Sequence, residues 1–212
     1  MLICPEGTFS WANVDIVNKN ITLQGTGVGQ TRIWVTAPGG IEATSANTKA
    51  FRITGFTFAS TANFGTDNGK AMMRIQGGKG WRIDHNRFEI FSTEQNYNGG
   101  NGIYTRNDVA GVIDHNEFTK GGGSGCMHAS TYPEGTGATA WSWPSQVGSA
   151  KHTVFIEDNI FLWQSTGAQR LMRHFTELYV SESTLLVLAA APQGTKEVGA
   201  SLRTQVENSQ SP

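Results

Sequence analysis

The sequence predicts an all-β fold, a right-handed parallel β-helix: a solenoid of about five to six stacked rungs followed by a short C-terminal helix. Three observations predict it: a gapless internal repeat, a composition of turn formers with few charges, and one insertion that lengthens a single repeat. The repeat has four copies: Phe51-Arg52-Ile53-Thr54-Gly55-Phe56-Thr57-Phe58, Trp81-Arg82-Ile83-Asp84-His85-Asn86-Arg87-Phe88, Gly111-Val112-Ile113-Asp114-His115-Asn116-Glu117-Phe118 and Val154-Phe155-Ile156-Glu157-Asp158-Asn159-Ile160-Phe161. Its isoleucine column is Ile53, Ile83, Ile113 and Ile156, with two equal steps and then a longer one. Isoleucine stacks on isoleucine, and Phe58, Phe88, Phe118 and Phe161 stack in a column of their own. Such columns form a continuous apolar core that no single repeat buries alone.

Taken in chain order, Ile3 to Phe9 reads as a strand already in progress, which predicts that the parent protein continues upstream, and no signal peptide is visible. Ile21-Thr22-Leu23-Gln24-Gly25 is a weaker fifth copy, with Leu23 one further equal step before Ile53. A second strand per rung is expected at Met72-Met73-Arg74-Ile75 and Gly102-Ile103-Tyr104-Thr105, aligning Ile75 with Ile103, and each is followed by a turn-like segment. The long third step carries its excess in an insertion loop, 130–150, rich in Gly, Pro, Ser and Trp. The β-helix domain is placed at 1–164. Beyond it, Leu171, Phe175, Leu178 and Tyr179 fall at helical spacing, so 165–192 reads as a cap helix or a non-repeat segment, and 193–212 as a disordered tail.

Composition narrows the partners. Only 16% of residues are charged, against roughly 25% in ordinary globular chains, and there are 26 glycines. The net charge of −1 and the lack of a basic stripe argue against nucleic acid. No apolar run reaches the roughly 20 residues that span a bilayer, so no membrane partner is expected. The repeat places Cys4 and Cys126 about four rungs, roughly 19 Å, apart at the usual strand spacing, beyond disulfide reach, so both are expected to be unpaired.

These residues, with the opening Ile3-Cys4-Pro5-Glu6-Gly7-Thr8-Phe9 and Asn20 to Gly27, resemble the pectin-lyase-like superfamily over roughly residues 1–164. Trp81-Arg82-Ile83-Asp84-His85 is similar to the Trp-x-Asp-His strand of pectate lyases, whose aspartate contributes to a calcium site; the resemblance implies that role for Asp84. The Arg-x-Pro-x-x-Arg segment of those lyases has no counterpart here. The resemblance also implies a polysaccharide partner and an extracellular or cell-surface location.

Three sets of residues are candidates for function. Asp84, Asp114 and Glu157 share a column that strand alternation turns outward, with neighbours about 5 Å apart. Carboxylates that close recruit a cation such as Ca²⁺, form an acid/base pair suited to a retaining glycosidase, or lie on a solvated face balanced by Arg52, Arg82 or Arg106. His85 and His115 stack beside them, and the catalytic candidates are Asp84, Asp114 and His115. Tyr132, Trp141 and Trp143 on the insertion loop offer flat faces for sugar rings. Asn86, Asn116 and Asn159 form a structural ladder at a bend, where Asn tolerates left-handed backbone, and Arg87 with Glu117 forms a cross-rung ion pair.

Two functions follow from the resemblance and these residues. One is a polysaccharide lyase or glycoside hydrolase acting on acidic glycans beside Asp84 and Asp114. The other is a non-catalytic β-helix, either a glycan-binding module or a structural segment of a larger surface or phage protein. The feature that separates them is an Arg or Lys aimed at the Asp84/Asp114 pair.

Overall fold

A computed structural model describes residues 1–44, 49–60, 71–91, 101–121, 127–129, 154–165, 178–181, 184–189 and 199–201. Among them the fold is all-β, with parallel strands stacked in register and no helix. The chain visits three stacks of strands in a fixed order. The first pass is β1 (Leu2–Ile3), β2 (Gly7–Trp11) and β3 (Val14–Val17); the second is β4 (Ile21–Gln24), β5 (Thr31–Val35) and β6 (Ile41–Thr44). The third is β7 (Phe51–Thr54), β8 (Thr57–Ser60) and the first half of β9 (Ala71–Asp84). The fourth is the second half of β9, β10 (Arg87–Phe91) and the first half of β11 (Asn101–Asp114); the fifth is the rest of β11, β12 (Glu117–Gly121) and β13 (Met127–Ala129). Then come β14 (Val154–Glu157), β15 (Ile160–Ser165), β16 (Leu178–Ser181), β17 (Thr184–Ala189) and β18 (Gly199–Ser201).

Each strand pairs in parallel with its counterpart one pass later, except that β18 closes antiparallel on β17. Leu23 faces Ile53, then Ile83, Ile113, Ile156 and Val180. Phe58 faces Phe88, Phe118, Phe161 and Leu185. The phenylalanine rings stack at 5.4, 4.9 and 5.0 Å. All four isoleucines and Phe88 and Phe118 are fully buried. Each such side chain contributes roughly 1.5–3 kcal/mol of transfer free energy, so these columns supply much of the force that holds the passes together.

Three expectations change. Ile103 faces Met73, and Ile75 faces Thr105, so the step of the isoleucine column holds in this stack as well and Ile75 does not align with Ile103. A slip of two positions keeps every side chain on its own face, so alternation alone does not reveal it. The turn-like segments at Gly77–Gly80 and 106–110 are corners inside continuous ladders, with positive φ at Gly77, Gly78 and Gly80 and register shifts near Val109. The repeat does not stop at 164: Leu178 and Tyr179 lie in β16, paired with Val154 and Phe155, and are not helical. Thr184–Ala189, also within 165–192, is strand β17, while Leu171 and Phe175 lie outside the described residues.

One contact between passes depends on a missing side chain. A Cβ on Gly111 would lie 2.2 Å from the Trp81 indole. That indole is buried and stacks on Phe51 at 6.2 Å. Gly111→Ala is therefore expected to destabilise the fold by about 1–3 kcal/mol through overpacking, read from the urea unfolding midpoint.

Candidate functional site

The outward face of the first stack carries the charged residues. Strand alternation buries Ile53, Ile83 and Ile113 and turns Arg52, Arg82, Asp84 and Asp114 away from the core. In register, Arg52 lies beside Arg82, and Thr54 beside Asp84 beside Asp114. Each arginine reaches the aspartate of the following pass. Arg52 donates to Asp84 through Nε at 2.7 Å and Nη2 at 2.5 Å. Arg82 donates to Asp114 through Nε at 2.9 Å and Nη2 at 2.5 Å. Arg82 Nε also stands 3.8 Å from Asp84 Oδ1, and Thr54 Oγ1 donates to Asp84 Oδ2 at 3.2 Å.

These bidentate clamps bury the carboxylates. The Asp84 side chain is 0% exposed and that of Asp114 4%, whereas the arginines above them are 44% and 45% exposed. The acids point outward but lie beneath guanidinium, not on a solvated face. Arg106 does not join them; its Nε donates to Gln76 Oε1 at 2.8 Å in the third stack. Burial alone would push both aspartates up. Hydrogen bonds from Arg52 and His85, and from Arg82 and His115, with the neighbouring arginine charges, outweigh it and hold both below the ordinary carboxylate range. The same hydrogen bonds push Arg52 and Arg82 up.

The histidines complete a unit that repeats. His85 Nδ1 lies 2.8 Å from Asp84 Oδ2, and His115 Nδ1 lies 2.8 Å from Asp114 Oδ2. An ionised carboxylate only accepts, so each Nδ1 carries the proton and each Nε2 lone pair faces outward. The two rings stack 4.9 Å apart and 5° from parallel. Asp158 follows in the same column, its Oδ2 3.9 Å from His115 Nε2. This column is the one that takes left-handed backbone, with φ of 54° at His85, 53° at His115 and 50° at Asp158. Gly55 occupies it one pass earlier with φ of 79°. The left-handed position is thus one residue before the asparagine. It costs an ordinary residue about 1–2 kcal/mol, and the aspartate hydrogen bond helps offset that.

The asparagines behave as a ladder. Asn116 Oδ1 accepts from Asn86 N at 3.0 Å and Asn86 Nδ2 at 3.2 Å, and Asn159 Oδ1 accepts from Asn116 N at 2.9 Å and Asn116 Nδ2 at 3.1 Å. Arg87 Nη2 and Glu117 Oε2 pair at 2.9 Å.

The clamp pattern ends at Glu157. Val112 stands where the next arginine would be, so Glu157 has no clamp from below. Among the described residues no group of three or more His, Cys, Asp or Glu is placed to hold a metal ion. The oxygens of Asp84 and Asp114 are taken by Arg, His and Thr donors, so these residues do not fit a calcium site. Beside the clamps runs an open groove of about 460 Å³, lined by Asn20, Ile21, Thr22, Phe51, Arg52 and Arg82 among others.

Tyr132, Trp141, Trp143 and Cys126 lie outside the described residues. Cys4 is a free thiol, and burial pushes it up. No described helix is long and apolar enough to cross a membrane. The sequence offers Arg52 and Arg82 as balancing charges but not the bidentate clamps that bury the aspartates. Their signal was present as Arg52 with Asp84 and Arg82 with Asp114, two pairs at one and the same spacing. No family model matches the chain, and neither a curated protein nor a solved structure matches it.

Proposed function

We propose that the protein is a right-handed parallel β-helix of the pectin-lyase-like kind and that it binds acidic polysaccharide without cleaving it. The observation that carries this reading is the pair of arginine clamps. Arginines do reach the Asp84/Asp114 pair, the feature that keeps an enzyme reading open, but they bury both carboxylates instead of leaving them free to react. The clamps occupy the carboxylates that an acid/base mechanism would use, and both arginines, 44% and 45% exposed, line the groove. The fixed order of three parallel stacks supports the solenoid. A guanidinium presents paired donors that match a uronate carboxylate, and Ile21 and Phe51 in the same groove offer apolar surface to the C–H face of a sugar. A polymer laid along the stack meets Arg52 and Arg82 on two adjacent passes. The reading takes the protein to be extracellular or at a cell surface.

A second reading rests on the Asp114–His115 pair. A buried carboxylate that fixes the tautomer of an exposed imidazole is how a general base is built. In that reading His115 removes the proton beside a uronate carboxylate, which Arg82 neutralises. A C=C bond forms in the uronate ring as its bond to the glycosidic oxygen breaks, and the departing oxygen takes a proton from water.

The location is tested by Thr22→Glu. Thr22 is the register partner of Arg52 and takes no part in the clamps. A glutamate there sets a carboxylate beside Arg52, where it competes with and repels a uronate. Retention of wild-type protein in a gel containing a polyuronate is expected, weakening with salt, and the variant is expected to lose most of it. Equal retention of the two would remove the groove from consideration.

A further inference from the structure

We propose that His85 and His115 form a two-histidine site for a divalent transition metal, Zn²⁺ or Cu²⁺. The proposal stands apart from the glycan reading and rests on four observations. Both imidazoles are well exposed, at 58% and 48% of the side chain, and they stack face to face at 4.9 Å on adjacent passes. Both have Nδ1 held at 2.8 Å by a buried aspartate, which leaves both Nε2 lone pairs outward. Metal-bound histidine characteristically donates its other ring nitrogen to such a carboxylate, which orients the ring and raises its basicity. Both occupy left-handed backbone at a position filled by glycine one pass earlier, so the residue type is not the one that the backbone favours. Finally, Asp158 places a carboxylate oxygen 3.9 Å from His115 Nε2, in the same column.

Imidazole nitrogen suits zinc and copper, whereas calcium prefers oxygen. Zinc–nitrogen bonds of about 2.1 Å require the two Nε2 atoms to lie within about 4.2 Å of each other. The nearly parallel rings aim their lone pairs side by side, so binding one ion requires them to tilt toward each other about their anchored Nδ1 atoms. Two ligands are in place; Asp158 becomes a third only by rotating, and water fills the remaining positions.

The test is titration of the wild-type protein with zinc chloride, followed through imidazole nitrogen resonances. The expected result is saturation at one equivalent, with Nε2 of His85 and His115 shifted and both Nδ1 protons retained. Calorimetry on folded His85→Gln and His115→Gln is expected to show at least a tenfold loss of affinity in each. No shift at these two nitrogens, or shifts confined to other histidines, would overturn the proposal. So would a His85→Gln/His115→Gln double variant that binds zinc as the wild type does. If either single variant fails to fold, the wild-type resonances alone decide.

Discussion

Replacing Asn116 by leucine is expected to lower the unfolding free energy by roughly 3–6 kcal/mol, because each buried polar group left unpaired costs about 1–3 kcal/mol. Asn116 is the middle of the ladder. Its Oδ1 accepts from the backbone and side chain of Asn86, and its Nδ2 donates to Ile83 O at 2.9 Å and to Asn159 Oδ1. All of this is buried. Leucine has the same number of side-chain heavy atoms, in a bulkier form, but offers neither donor nor acceptor, so Asn86 N loses its side-chain acceptor and Ile83 O and Asn159 Oδ1 lose a donor. Such a loss is a large share of the roughly 5–15 kcal/mol that holds an ordinary domain together. Urea unfolding followed by two probes measures it, and a change below about 1 kcal/mol would show that the ladder contributes little.

Arg52→Met is expected to cost about 3 kcal/mol at neutral pH, and more than Asp84→Asn, which is expected to cost about 1–2 kcal/mol. The asymmetry follows from exposure. Removing Arg52 strips the bidentate partner from a carboxylate that is 0% exposed, whereas removing the Asp84 charge releases a guanidinium that is already 44% exposed. The pH dependence has a defined sign. The folded Asp84 carboxyl lies below its ordinary value, because the hydrogen bonds from Arg52 and His85 and the arginine charges outweigh burial. Its stabilising contribution is therefore complete above the unfolded value and is lost as pH falls through the lower folded value. The gap between wild type and Arg52→Met should narrow below about pH 4 for that reason, because Asp84 becomes neutral in both proteins. A gap that stays constant into acid would mean that Arg52 acts through packing and not through charge.

Much of the fold was legible because identical residues stack. The isoleucine, phenylalanine and asparagine columns are read directly from a step that is constant but for one insertion, and register follows from them. The third stack was only half visible. Val14–Val17 and Ile41–Thr44 are short strands without a repeated signature, and their alternation resembles that of any edge strand. The last passes were missed because Leu178–Ser181 keeps apolar alternation but drops the Asn and Phe markers. In the candidate site the acid column was legible but its state was not. Alternation says that Asp84 points outward, but not that Arg52, on the preceding pass, folds over it and buries it. The left-handed position was assigned to the asparagine by residue preference. Aligning Gly55 with His85 and His115 would have moved it one residue earlier.

The central claim is that Asp84 and Asp114 hold the passes together while the groove beside them binds acidic glycan uncut. The most direct test is the chain length of a polyuronate after incubation with folded wild-type protein, measured alongside retention of the polymer. The account predicts retention with chain length unchanged. Shortening of the polymer that disappears in a folded Asp114→Asn variant would contradict it and assign the face to catalysis.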